Sequence, residues 1–134
     1  MSPSSSLLSP GTVLLFDGEP PSGRSLARQI EAWGIPVDRV EDVEELLAAV
    51  QAFRYELVIL DGGVLQGGIN VQQLSLLNRY CLSIPLAALL NAEHEQQVWL
   101  QFGIADFLMR PVDPAQLHAL LDRYLPTSGS RLLE

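Results

Sequence analysis

Four charged residues carry the types and positions from which chemistry could be built: Asp17, Glu19, Asp61 and Arg110. Asp17 and Asp61 each close a short apolar run, Thr12–Phe16 (TVLLF) and Leu57–Leu60 (LVIL), and each is followed by glycine. Arg110 follows a third such run, Ile104–Leu108, and precedes Pro111. Two or three carboxylates brought together can hold Mg²⁺, which takes oxygen ligands. An aspartate beside a metal and a cation can accept a phosphoryl group, because that transfer depends chiefly on positioning and charge neutralisation. The same aspartates also read as ordinary turn-starting residues with no chemistry.

Such a site requires elements that bring distant residues to one place. The central stretch is Tyr55–Gly63, YELVILDGG. Its unbroken apolar run, closed by glycines, suits a strand buried on both faces of a parallel sheet. Around it the chain alternates strand and helix patterns. Strands are predicted at 12–16, 35–40, 57–61, 84–90 and 104–108, and helices at 22–33, 42–53, 70–80, 92–102 and 113–125. Asp42 with Glu45 forms a capping box, and Asp113 with Pro114 opens the last helix. Leu26, Ile30 and Trp33 form one buried helical stripe, and Val43, Leu46, Leu47, Val50 and Phe53 another. This alternation predicts an α/β fold of the flavodoxin-like (βα)5 kind. Helices cover both faces of a parallel five-stranded sheet of order 2-1-3-4-5. In that order the carboxyl ends of strands one, three and five meet at one edge, which gathers Asp17, Glu19, Asp61 and Arg110.

Composition narrows the function classes. The chain has 134 residues and a formal charge of −8, with acidic residues crowded over 38–45. That charge opposes a nucleic-acid surface, and no apolar run approaches the roughly 18 residues of a membrane helix. All eight basic residues are arginine. The absence of lysine excludes a Walker phosphate loop and Schiff-base catalysis. Cys81 is the single cysteine, which fits a reducing, cytoplasmic setting. His94, His118 and Cys81 have no metal-ligand spacing. The Ser/Pro-rich segment 1–11 reads as a disordered lead-in, 12–125 as the domain, and 126–134 as a tail; the flanks suggest a domain from a longer chain.

Five segments in order resemble the receiver domains of two-component response regulators and hybrid sensor histidine kinases. LLFDGEP is similar to the acidic motif of strand one, and YELVILD to the strand that carries the phosphoacceptor. IPLAALLNA is similar to the fourth strand, and FGIADFLMRPVDPAQL to the fifth strand and last helix. ARQIEAWGIPV looks like the receivers of hybrid kinases. The resemblance spans about 12–125. It implies Asp61 as the phosphoacceptor position, Asp17 and Asp61 as Mg²⁺ ligands, and Arg110 in place of the usual lysine. It also implies a cis Arg110–Pro111 bond, no enzymatic turnover, and histidine kinases or other signalling domains as partners.

The departures define an atypical receiver. Gly18 replaces the acid that usually binds metal, so Mg²⁺ is expected to bind weakly unless Glu19 substitutes. Leu90 stands at the switch hydroxyl position counted from Pro85, and Asn91 stands there with a one-residue shift. Phe107 occupies the aromatic switch position, and Val64–Leu65 the usual Met-Pro. Switching needs contacts that differ between two states. With most of them lost, the expected function is protein contact, including a homodimer through the fourth helix, fifth strand and fifth helix. Trp99 or Phe102 is expected to anchor that face, with Trp99→Ala weakening association but not the fold. The rival readings are a functional phosphoreceiver and a small flavodoxin-like enzyme or nucleotide binder.

Overall fold

The computed structural model describes residues 13–17, 22–61, 71–104 and 106–125. The expectations for 1–11, 126–134, Gly18, Glu19 and Val64–Leu65 lie outside the described residues, as does the side chain of Asp61. Strands β1 (Val13–Phe16), β2 (Val37–Val40), β3 (Leu57–Asp61), β4 (Leu86–Leu90) and β5 (Asp106–Met109) form one sheet of order β2-β1-β3-β4-β5. Every pairing is parallel. Helices α1 (Ser22–Glu31), α2 (Val43–Ala52), α3 (Val71–Tyr80) and α4 (Glu95–Leu100) connect the strands, and α5 (Pro114–Tyr124) follows the last. The fold class, strand order and alternation match the sequence expectation.

Strand alternation sends successive side chains to opposite faces, so a parallel sheet covered on both sides needs two cores. Leu15, Leu57, Ile59 and Leu89 pack against Leu26 and Ile30 of α1 and Leu117 and Leu121 of α5. Leu14, Phe16, Leu60 and Leu90 pack against Leu46 of α2, Leu74 and Leu77 of α3, and Trp99 of α4. Leu57 through Leu60 are wholly buried, as a central strand demands.

Several boundaries are shorter than periodicity suggests, and backbone hydrogen bonding explains them. Pro36 and Pro85 have no N–H to give a ladder. β2 and β4 therefore begin after them, while the two proline carbonyls accept bonds from Val13 and Val58, each at 3.0 Å. α4 is the largest difference, six residues in place of eleven. His94 precedes it in helical conformation and makes no side-chain cap. Its exit folds back through Phe102 N–H and Ile104 N–H, both donating to the Trp99 carbonyl, and through Gly103 at φ +82°. Only glycine adopts that conformation without strain.

The Asp42 side chain caps α2 as expected, while Glu45 closes on the N–H of Glu41, one residue before the cap, and not on that of Asp42. Asp42 Oδ1 accepts from Glu45 N–H at 2.7 Å, and Glu45 Oε1 accepts from Glu41 N–H at 3.3 Å. Asp42→Ala is expected to cost about 1 kcal/mol of unfolding free energy. Urea denaturation checks this; a change below about 0.3 kcal/mol would show the cap to be idle.

Trp99 corrects the interface expectation. Its side chain is 0% exposed and belongs to the core under β4, so it cannot anchor a partner. The apolar residues that α4 exposes are Val98 and Leu100, while Phe102 is partly buried against the same core. On so short a helix, one inward position carries the packing, and the bulkiest ring occupies it. Among the described residues no helix is long and apolar enough to cross a membrane.

Candidate functional site at the carboxyl edge of the sheet

The site is assembled by register. Phe16 pairs with Leu60, so Asp17 and Asp61 follow at the same level on adjacent strands. Adjacent strands lie about 5 Å apart, which makes the two aspartates neighbours along the backbone. Asp61 also pairs with Leu89 of β4. Arg110 directly follows β5, and its N–H donates to the Leu90 carbonyl at 2.9 Å. The Arg110–Pro111 bond is cis, as the resemblance implies.

Asp17 is wholly buried, the one polar or charged side chain so placed among the described residues. Its N–H donates to the Val40 carbonyl at 2.8 Å, which fixes it at the sheet edge. Arg39 of β2 neutralises it: Nη1 donates to Asp17 Oδ2 at 3.1 Å and to Glu41 Oε2 at 2.7 Å. Glu41 foremost, and Asp17 less, hold the Arg39 guanidinium above its ordinary pKa. Asp17 Oδ1 has no hydrogen-bond partner among the described residues. Sequence spacing does not single out Arg39. The available signal was the strand order, since β2 flanks β1 and a cation near its carboxyl end is within reach of Asp17.

On the other side, Arg110 Nη1 donates to Asn91 Oδ1 at 3.0 Å. Asn91 N–H in turn donates to Glu95 Oε1 at 2.8 Å, joining the β4 end to the start of α4. Leu90 is wholly buried in the core, whereas Asn91 is exposed at the edge. The expected Asp61–Arg110 pairing involves a side chain outside those described. Phe107 is half-buried and lines a groove of about 280 Å³ with Gln96, Met109, Gln116, Ala119 and Arg123. Among the described residues no group of three His, Cys, Asp or Glu side chains could hold a metal ion. Trp33 meets His118 edge-on at 5.2 Å, a packing contact between α5 and the turn after α1.

Comparison with known proteins gives a consistent fold. No family model matches the chain. The transcription factor SKN7 of Saccharomyces cerevisiae is 26% identical over 84% of this chain, which spans only 18% of that protein's length. Full-length ShkA, solved in complex with AMPPNP, is 30% identical over 87% of this chain and 24% of its own, with TM-score 0.70. The receiver domain of a sensor histidine kinase from Pseudomonas aeruginosa, solved with magnesium in its active-site cleft, is 20% identical. The match covers 88% of this chain and 99% of that one, again with TM-score 0.70. The fold is therefore that of response-regulator receiver domains.

Proposed function

We propose that this chain is an atypical receiver domain in two-component signalling that acts mainly through protein contacts, without enzymatic turnover. The observation that carries this reading is the register of β1 and β3, which sets Asp61 beside Asp17 at the carboxyl edge of a receiver fold. Asp61 stands at the phosphoacceptor position, Glu19 belongs to the acidic loop after Asp17, and Arg110 replaces the lysine. Asn91 takes the place of the switch hydroxyl, because it meets Arg110 at the edge while Leu90 is core. Arg110 engages the Asn91 amide oxygen, and it is the amide N–H that could donate to a phosphoryl oxygen. Phe107 keeps the aromatic ring of the second switch position without its hydroxyl.

Asp17 and Asp61 are the residues that would hold Mg²⁺. The unpartnered Asp17 Oδ1 suits a hard cation, and the guanidinium on Oδ2 opposes one, so binding is weak. When bound, the ion would supply charge neutralisation to an arriving phosphoryl group. The chain's own part is to hold Asp17 dry and Arg110 at the edge. A histidine kinase or another cytoplasmic signalling domain is the partner this reading calls for. The α4–β5–α5 face is the docking and homodimer surface, with Val98, Leu100 and the groove beside Phe107 offering apolar contact.

Acetyl phosphate labelling combined with an association assay tests the reading. The wild type is expected to label slowly, Asp61→Asn not at all, and both to associate equally. Loss of association in Asp61→Asn would establish an ordinary phosphoreceiver. Sustained turnover of generic phosphoesters would establish an enzyme instead.

A further inference from the structure

We infer that Arg39 is a resident counter-ion of Asp17, standing in for a divalent cation at the carboxyl edge, and that Glu41 is the acid to which it transfers when a metal enters. This rests on the receiver reading of the edge and specifies how its metal affinity is set.

A buried carboxylate without compensation is strongly unfavourable, so Asp17 needs a cation in every state of the domain. The sheet supplies one. Leu15 and Asp17 lie on the same face of β1, and Arg39 pairs with Leu15 across β1 and β2. From there its long side chain reaches diagonally to Asp17 Oδ2 at 3.1 Å. Because β2 is the border strand, the guanidinium keeps a solvent-facing side: the Arg39 side chain is 26% exposed, against 0% for Asp17. The same Nη1 touches Glu41 Oε2 at 2.7 Å, the shorter of the two contacts, and the Glu41 side chain is 50% exposed. Arg39 is thus already shared between an inner and an outer acid. Release from Asp17 keeps its Glu41 partner and frees a buried carboxylate whose Oδ1 is unpartnered among the described residues. A divalent cation replacing Arg39 leaves Asp17 neutralised, so the two cations compete for one carboxylate.

Titration with MgCl₂ at constant ionic strength, followed by amide NMR shifts at the ends of β1 and β3, tests this. Arg39→Met removes the charge while keeping the stem, and is expected to tighten apparent Mg²⁺ binding by about tenfold or more, equivalent to about 1.4 kcal/mol. Glu41→Gln removes the outer acid, holds Arg39 on Asp17, and is expected to weaken binding several-fold. This second variant leaves the buried pair intact and keeps the test decisive if Arg39→Met folds poorly. Arg39→Lys, which retains the charge, is expected to stay near the wild type. Equal affinity in the wild type, Arg39→Met and Glu41→Gln overturns the role of Arg39 alone. Absence of any edge shift in all of them overturns it together with the metal part of the receiver reading. Labelling of Asp61 by acetyl phosphate, measured separately, reports on the receiver reading itself.

Discussion

Trp99→Ala is expected to destabilise the domain by about 3–5 kcal/mol, enough to unfold much of it at physiological temperature. The ring is wholly buried in the core that also holds Leu90 and Ile104. Truncation removes that buried area and leaves a cavity that a six-residue helix is too short to collapse into. The indole N–H has no partner among the described residues, so part of the ring's contribution is already offset. Trp99→Phe, which removes the orphan donor along with some volume, should therefore cost much less, about 1–2 kcal/mol. Urea melts of the two variants give the comparison. A stable Trp99→Ala protein that has lost only its self-association would return Trp99 to the surface and undo the core assignment.

The domain is also expected to lose stability in alkali, through two buried protic groups. Burial pushes the Cys81 thiol up from 9.0 to about 11. Burial, and then the hydrogen bond from Tyr55 to Asp38 Oδ2 at 2.8 Å, raises the Tyr55 hydroxyl well above its ordinary value. Both groups keep their protons longer in the folded chain than in the unfolded one. The unfolded state therefore binds fewer protons above about pH 9, and unfolding free energy falls as pH rises. The Cys81 contribution is fully present below pH 9.0 and is lost as pH climbs to about 11. At about 1.4 kcal/mol per unit, it is worth roughly 2–3 kcal/mol across that window, and Tyr55 adds to it in the same direction. Urea melts from neutral pH into this range should show the fall. Cys81→Ala and Tyr55→Phe should each start less stable and decline less steeply. A wild-type slope unchanged by either substitution would mean that the two groups titrate alike in both states.

The α4 segment illustrates how far a local pattern reaches. The pattern over 92–102 placed a helix and named its aromatics, yet it set Trp99 or Phe102 toward a partner, whereas Trp99 turns wholly inward. A weakly periodic segment with no capping side chain has several rotations of similar local energy. Packing into the core beneath β4 selected the one that buries Trp99 and exposes Val98 and Leu100.

What the sequence by itself determined is the set of elements and the order in which they assemble. Apolar runs ended by Asp17, Asp61 and Arg110 mark three parallel strands, and right-handed crossovers then admit few orders. Asp42 and Asp113 mark helix starts because their side chains bond to backbone only two or three residues on. Those are local interactions, and local interactions are legible in spacing. What only the tertiary structure decided is who meets whom across the strands. Arg39 reaches Asp17 over 22 residues, Arg110 reaches Asn91 over 19, and Tyr55 reaches Asp38 over 17. Each of these pairs spans a crossover, so its partners are chosen by strand register and by which face a side chain takes. A one-residue change in register reverses that face. The element pattern is the same for either outcome, and only packing the sheet against its helices selects between them.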